Sequence, residues 1–146
     1  MEKSRFYYRA PFPVRKVITF DGSAGLGAVG AVPLFTVTGE VMVTIIPFCT
    51  TLLDEAAPTA TLSLGVTGSV ALFIAATDAV DIDADEFWVD TDPDPYGIAL
   101  PATLKDILIA ADIIGTVAVQ NVTAGVMELL VLWRPISTDG NVVAVA

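Results

Sequence analysis

Residues 33–48 read PLFTVTGEVMVTIIPF and contain two runs rich in β-branched and aromatic residues, Pro33–Thr38 and Val41–Phe48, joined at Gly39-Glu40. Runs of this composition that are bounded by glycine or proline are typical of strands. The second run shows little alternation between apolar and polar residues, which predicts a strand buried on both faces. This region therefore favours a β-rich fold with a substantial core.

Similar runs continue along the chain in both directions, at intervals of about 8–12 residues. They are Val14–Phe20, Thr61–Val66, Ser69–Ala76, Ile82–Val89, Ile114–Gln120 and Val126–Trp133. We expect a pair of strands around Thr67-Gly68 and a second pair on either side of the turn Asn121–Gly125.

The segment Pro101–Ala111 is ambiguous, because its apolar residues fall at helical spacing. It also fits one helical turn followed by a strand at Ile107–Ile109, which is the interpretation we favour. With eight or nine short strands, the chain is predicted to be all-β, an antiparallel β-sandwich that resembles a jelly roll.

The charge of the chain is unevenly distributed. The 146 residues carry a net charge of −10, yet five of the seven basic residues lie within residues 1–16. We expect a basic and aromatic N-terminal arm at 1–16, a single sandwich domain at 17–137 and a weakly specified C-terminal tail at 138–146. The arm is predicted to bind a partner, because arginine stacks on aromatic rings and pairs with carboxylates. Its candidate partner-binding residues are Arg5, Phe6, Tyr7, Tyr8, Arg9, Phe12, Arg15 and Lys16.

Composition excludes several classes of function. The chain contains no histidine, which excludes catalytic triads and metal sites that depend on imidazole. Its single cysteine, Cys49, follows a predicted buried strand and is expected to be an inert apolar residue. The acidic body would repel nucleic acid, and neither a signal peptide nor a transmembrane helix is recognisable. We therefore expect a non-enzymatic protein without a nucleic-acid or membrane partner.

The glycine-rich segment Gly25–Gly30 matches the pattern GxGxxG. In dinucleotide-binding proteins this pattern follows a strand and opens a helix. Here Val32-Pro33 and a β-rich stretch follow instead, so no nucleotide cofactor is expected. The glycines are interpreted as residues that permit a positive φ in a tight loop.

Eight carboxylates lie within residues 78–94, the densest charge cluster of the chain. On a strand, Asp81, Asp83 and Asp85 would point the same way, which makes them a candidate calcium site. An EF-hand loop is excluded, because Glu86 replaces the required glycine and Asp92 the required bidentate glutamate. The alternatives are a solvated acidic rim and a surface that docks the basic arm of a neighbouring copy, and we favour the second.

The chain from Ile18 to Ser137 resembles small virion proteins from the structural-gene blocks of tailed bacteriophages, and among these the capsid decoration (cement) proteins. The stretches that carry the resemblance are ITFDGSAGLGAVG (18–30), PLFTVTGEVMVTIIPFCTTLL (33–53), IDADEFWVD (82–90) and NVTAGVMELLVLWRPIS (121–137). The resemblance implies a sandwich or jelly-roll oligomer on the outside of a capsid, anchored by its N-terminal arm. No catalytic residue comes with it.

From this resemblance and the charge layout we expect a structural virion protein, made in the host cytoplasm, that forms a homo-oligomer, with a trimer favoured. Its further partner would be the major capsid protein or another virion protein. Two other functions stay open. One is a glycan- or receptor-binding module with Trp88, Tyr96 and the loop TDPDPYG (91–97) at its mouth. The other is a subunit that assembles by itself into a filament or shell.

Overall fold

The computed structural model of the chain describes residues 11–55 and 59–146. The ten strands of these residues are β1 (Phe12–Thr19), β2 (Gly30–Thr38), β3 (Val41–Glu55), β4 (Thr61–Val66), β5 (Ser69–Asp78), β6 (Glu86–Phe87), β7 (Ile107–Ile109), β8 (Ile113–Ala118), β9 (Val122–Pro135) and β10 (Asn141–Ala144). Two 3-10 turns, Ala79–Asp81 and Ala102–Leu104, are the only helical elements described. The strands form two antiparallel sheets, which confirms the predicted all-β sandwich. The turn followed by a strand at Ile107–Ile109 is confirmed as well.

The order of the strands defines the topology. The first sheet runs β1-β9-β3-β6, with β7 also paired to β3, and the second runs β10-β2-β8-β4-β5. With β7 and β10 set aside, the other eight strands lie in the order of a jelly roll, in which the first and last of the eight are neighbours. Among the described strands, only β4 and β5 are both consecutive in sequence and hydrogen-bonded to each other.

Two sequence predictions about pairing are affected by this order. The pair around Thr67-Gly68 is confirmed as the β4–β5 hairpin. The pair across Asn121–Gly125 is wrong, because β8 lies in the second sheet and β9 in the first. Strand character depends on local composition, whereas the choice of pairing partner depends on contacts far apart in the sequence. The chain therefore crosses from one sheet to the other within residues 119–121, and the predicted turn residues 122–125 belong to β9.

The core lies between the two sheets and follows the alternation of side chains along β3 and β9. Val43 and Ile45 of β3 are buried, whereas Thr44 and Ile46 on the other face are half-buried. The prediction that this strand is buried on both faces is therefore wrong. The inner face packs against the second sheet, and the outer face stays partly open despite its apolar side chains.

The N-terminal arm was expected to extend to Lys16, and this boundary is wrong. β1 begins at Phe12, whose ring packs against Trp133 of β9 with 4.8 Å between the ring centroids. The alternation that places Ile18 in the core continues back through β1, so Phe12, Arg15 and Lys16 belong to the sheet. The other predicted arm residues, Arg5, Phe6, Tyr7, Tyr8 and Arg9, lie outside the described residues.

The C-terminal residues 138–146 were expected to be a weakly specified tail, and this is wrong too. Residues 141–144 form β10, which pairs with β2 at the edge of the second sheet. Val142 is buried in the core, and the backbone N–H of Val145 donates to the carbonyl of Leu34 at 2.9 Å. Val142 faces the core and Val143 faces solvent, and hydrogen bonds to the backbone of β2 hold this short edge strand in place.

Candidate functional site

The outer side of the first sheet carries an apolar surface, which we call the outer apolar face. Register places Leu130 of β9 between Arg15 of β1 and Ile46 of β3. Met42 pairs with Leu108 of β7, whose side chain is 68% exposed. The residues of this face are Val17, Met42, Ile46, Leu108, Leu130 and Leu132. Exposed apolar residues that lie next to one another in this way often mark a site of interaction with another molecule.

The outer apolar face also holds three charged side chains, those of Arg15, Glu128 and Arg134. The guanidinium of Arg15 is 3.4 Å from a carboxylate oxygen of Glu128, and both side chains are open to solvent. An exposed pair of this kind contributes little to stability. It can instead fix the orientation of a partner, because charges at an interface determine specificity more than affinity.

Lys16, predicted to bind a partner, faces the other way. Its ammonium donates to the carbonyl of Val145 at 2.7 Å and so ties β1 to the chain that follows β10. This contact lies where the first strand of one sheet meets the edge of the other. Lys16 therefore closes this edge of the sandwich, and its ammonium is already engaged within the chain.

The acidic segment 78–94 does not form the predicted strand Ile82–Val89. Asp81 ends a 3-10 turn, Asp85 has a φ of 66°, and only Glu86 and Phe87 pair as a strand. The peptide N–H of Asp85 donates to the carbonyl of Cys49 at 2.8 Å, so this segment follows β3 without continuous pairing. Continuing the register of β6 along β3 would place Asp81 opposite Asp54, and like charges directly opposite each other are destabilising.

The candidate calcium residues are consequently not aligned on one face. Asp81, Asp83 and Asp85 are exposed, and the carboxylate of Glu86 accepts a hydrogen bond from the peptide N–H of Asp83 at 2.9 Å. Within residues 11–55 and 59–146 no group of three or more side chains is arranged to hold a metal ion. The calcium hypothesis assumed a strand through Asp81, Asp83 and Asp85, and this assumption is wrong.

The loop that follows is held by its own aspartates and presents one aromatic residue. The carboxylate of Asp94 accepts hydrogen bonds from the peptide N–H groups of Tyr96 at 2.9 Å and Gly97 at 3.3 Å. The backbone of Asp94 also exchanges two hydrogen bonds with Phe87. Tyr96 is 96% exposed at the tip of this loop. A fixed loop with an exposed ring suits contact with a ligand or a partner.

A groove runs along β5, where the strand bulges away from β4. Leu64 pairs with Ile74 and Val66 with Ser69, so that residues 70–73 of β5 lie opposite Gly65 alone. A Cβ atom at Gly65 would clash with the carbonyl oxygen of Ser69, so the bulge can form only over a glycine. This close approach moves the following residues of β5 outward.

We call the resulting depression the β5 groove. It has an empty volume of about 600 Å³, part of which is open to solvent. Leu72, Val89 and Pro101 give it an apolar lining, and Asp90 contributes a carboxylate to its wall. Sequence reasoning did not predict the groove. The single signal was Gly65 within a strand, which indicates a bulge or a close backbone approach.

Cys49 belongs to the core, as predicted, and so does Trp88, which the glycan-binding alternative had placed at the mouth of a site. Trp88 is 1% exposed, and its indole N–H donates to the hydroxyl of Thr77 at 3.0 Å. Cys49 is fully buried, its thiol donates to the carbonyl of Thr51 at 3.1 Å, and burial raises its pKa to about 11. Trp88 is therefore unable to stack on a sugar, and Cys49 is a protonated thiol at neutral pH.

The glycine-rich loop has the geometry expected of a tight loop. Gly25, Gly27 and Gly30 have φ values of 78°, 119° and 129°. Val122 donates its peptide N–H to the carbonyl of Gly27 at 2.8 Å, so the loop packs against the start of β9. Gly30 begins β2 and not a helix, so the loop is not followed by the helix that the dinucleotide pattern requires.

Comparison of the chain with protein-family models, curated proteins and solved structures found no significant match. Among the described residues, no helix has the length and hydropathy needed to cross a membrane.

Proposed function

We propose that the chain is a non-enzymatic structural protein of a bacteriophage virion, which forms a homo-oligomer and decorates or cements the capsid lattice. The observation that carries the proposal is the outer apolar face, where Leu108 is 68% exposed and Val17 55% exposed. Leaving such surface in water is unfavourable, and contact with another subunit removes it from solvent. The proposed partners are further copies of this chain, a trimer being favoured, and the major capsid protein or another virion protein.

The topology adds support by analogy. Jelly rolls are found in viral capsid domains as well as in lectins. A fold hosts many functions, so this analogy only raises the prior for a virion protein. The resemblance of residues 18–137 to decoration proteins points the same way. In a capsid lattice, repetition would multiply a modest affinity of each copy.

The mass of the purified full chain, measured by light scattering at low and high salt, tests the proposal. We expect an oligomer whose mass does not fall at high salt, because its contact is mainly apolar. The variant Leu108→Glu/Leu132→Glu is expected to fall to the mass of one chain, 15.3 kDa. The control Val143→Glu changes an exposed residue of β10 and should keep the wild-type mass. A monomeric wild type at both salt concentrations would overturn the proposal.

Binding to the capsid is tested separately, by adding the purified chain to undecorated shells of the parent phage and sedimenting them. We expect the wild type to sediment with the shells in a fixed ratio to the capsid protein. Absence from the pellet at micromolar concentration would contradict a decorating role, even if the chain is an oligomer.

A second function, a glycan-binding module, is favoured by one observation, the 96% exposure of Tyr96 on its braced loop. Exposed aromatic rings on fixed loops suit stacking against sugar faces. Binding to a glycan array that is lost in Tyr96→Ala and kept in Val143→Glu would favour this function. The role expected of Trp88 in such a site is excluded by its burial.

A further inference from the structure

We propose that the β5 groove binds the basic aromatic N-terminal segment, residues 1–10, of a second copy of this chain. The inference rests on the proposed oligomeric function and deepens it, because it names one contact between subunits. Its occupant is a segment of known sequence, and the argument uses only that sequence and the geometry of the described residues.

The chemistry of groove and segment is complementary. The groove has an apolar lining at Leu72, Val89 and Pro101, and it carries the carboxylate of Asp90. Residues 78–94, which follow directly after β5, contain eight carboxylates. The segment contains three adjacent aromatic residues, 6–8, between two arginines, and its net charge is positive. Aromatic rings would fill the apolar floor while the arginines lie at the acidic rim.

A second open depression is a weaker candidate for the same occupant. It lies between Leu108, Ile109 and Ile136, and Glu40 contributes its only carboxylate. It has a similar apolar lining, but the carboxylates that flank it in the sequence, Asp106, Asp112 and Asp139, are fewer than the eight of residues 78–94. Charge complementarity therefore selects the β5 groove.

Position explains why the occupant comes from another copy. The segment enters the fold at β1, the edge strand beside β10, whereas β5 is the edge strand at the other side of the second sheet. From β10 to β5 the second sheet has four inter-strand spacings of about 4.8 Å, which makes about 19 Å. The distance between the two sheets adds to this value for a segment that starts at β1. Phe6 lies five residues before Pro11, so it reaches at most about 18 Å in a fully extended chain. Tyr8 lies three residues before Pro11 and reaches at most about 11 Å, so the three aromatic residues cannot all lie against β5 of their own subunit.

This placement also determines the kind of assembly. Each subunit donates a segment from one edge and accepts one at the opposite edge, so the contact is head-to-tail. Head-to-tail contacts close into a ring or continue as a row. A ring of three subunits is the closed form that corresponds to the favoured trimer.

The test is photo-crosslinking of the full chain, with Tyr7 replaced by p-benzoylphenylalanine. Equal amounts of unlabelled and ¹⁵N-labelled protein are mixed in denaturant, refolded together, irradiated and mapped by mass spectrometry. We expect crosslinks between position 7 and residues 71–75 or 89–91, with half of them joining one unlabelled and one labelled chain. Crosslinks confined to single copies, directed to the outer apolar face, or absent would each overturn the inference.

Matched variants sharpen the result. Leu72→Glu changes an exposed groove residue, and Arg5→Glu/Arg9→Glu reverses the charge of the segment. Each is expected to lower the yield of mixed-isotope crosslinks about tenfold. The control Val143→Glu, on β10 at the other edge of the second sheet, should leave the yield unchanged. Unchanged yields in the groove and segment variants would overturn the inference.

The outcomes for the two proposals are distinguishable. If the wild type is an oligomer that Leu108→Glu/Leu132→Glu dissociates, but position 7 crosslinks elsewhere, the structural function stands and the docking site is wrong. A wild type that is a monomer in light scattering overturns the proposed function itself.

Discussion

The paired strands β3 and β9 and the acidic segment 78–94 are built in opposite ways. β3 and β9 pair from Val41↔Pro135 to Glu55↔Val122 and alternate between buried and half-buried side chains. The acidic segment has two residues in a strand and is held by single backbone contacts to β3 and by the buried Trp88. The first region is stabilised by continuous burial, and the second by a few specific contacts. Substitutions should therefore have graded effects in the first region and depend on single groups in the second.

The largest expected effect comes from truncating the inner face of β3. Ile45→Ala is expected to lower the free energy of unfolding by about 2–5 kcal/mol, because Ile45 is fully buried and its loss leaves a cavity. The neighbour Ile46 provides the matched control, since the same truncation on the outer face should cost about 1 kcal/mol or less. Urea denaturation of both variants measures the difference. Equal losses would show that the two faces of β3 are equally buried in solution.

The next effect is pH-dependent and arises where the two regions meet, at Cys49. Burial raises the pKa of this thiol from 9.0 to about 11, so the folded state favours the protonated form. The contribution is fully present below pH 9 and is lost as the pH rises towards 11, by about 2 kcal/mol. Comparison of wild type and Cys49→Ala by denaturation from pH 8 to 11 isolates this term. A parallel decline of both proteins would contradict it.

Trp88 is the corresponding test of the acidic segment. Trp88→Phe removes the hydrogen bond to Thr77 and part of the ring volume, and is expected to destabilise the fold by about 1–2 kcal/mol. Trp133→Phe is the control, because Trp133 is only half-buried beside Phe12 and should lose less. Thermal unfolding followed by circular dichroism gives the ranking. A larger loss at Trp133 would reverse the comparison.

The smallest effect is expected in the loop. Asp94→Ala removes the acceptor for the peptide N–H groups of Tyr96 and Gly97 and should cost about 0.5–1 kcal/mol. The local effect should exceed the global one, because this loop is exposed. Hydrogen exchange at residues 94–97 is expected to rise while exchange in β3 stays unchanged. Faster exchange in β3 would mean that the loop and the core unfold together.

The sequence predicted individual strands better than their arrangement. Thr61–Val66, Ile107–Ile109 and the sandwich architecture followed from β-branched runs and turn residues. The pairing of β9 with β3 could not be predicted, because the composition of a run such as Val126–Trp133 does not indicate which distant strand it pairs with. The strand predicted at Ile82–Val89 is not formed over most of its length. Apolar residues that alternate with carboxylates resemble a strand in sequence, but this pattern does not show whether the backbone has a neighbour to pair with.

The candidate site was predictable in kind but not in place. Apolar residues on both sides of the predicted strands indicated surface that another subunit could cover, and the outer apolar face has this character. The β5 groove depends on a bulge over Gly65 and on Pro101 arriving from a distant turn. Such a coincidence of separate elements has no local signature in the sequence.

The jelly-roll order also has a consequence for biosynthesis. β9 lies between β1 and β3 in the first sheet, and its Met127 pairs with Ile18 on one side and Cys49 on the other. The sheet is therefore not continuous until β9 is present. A nascent chain that has released its first 120 residues holds the two flanking strands without the strand that joins them. Chains dominated by such non-local pairing fold slowly and expose apolar edges meanwhile. The first sheet can therefore close only after β9 has been synthesised.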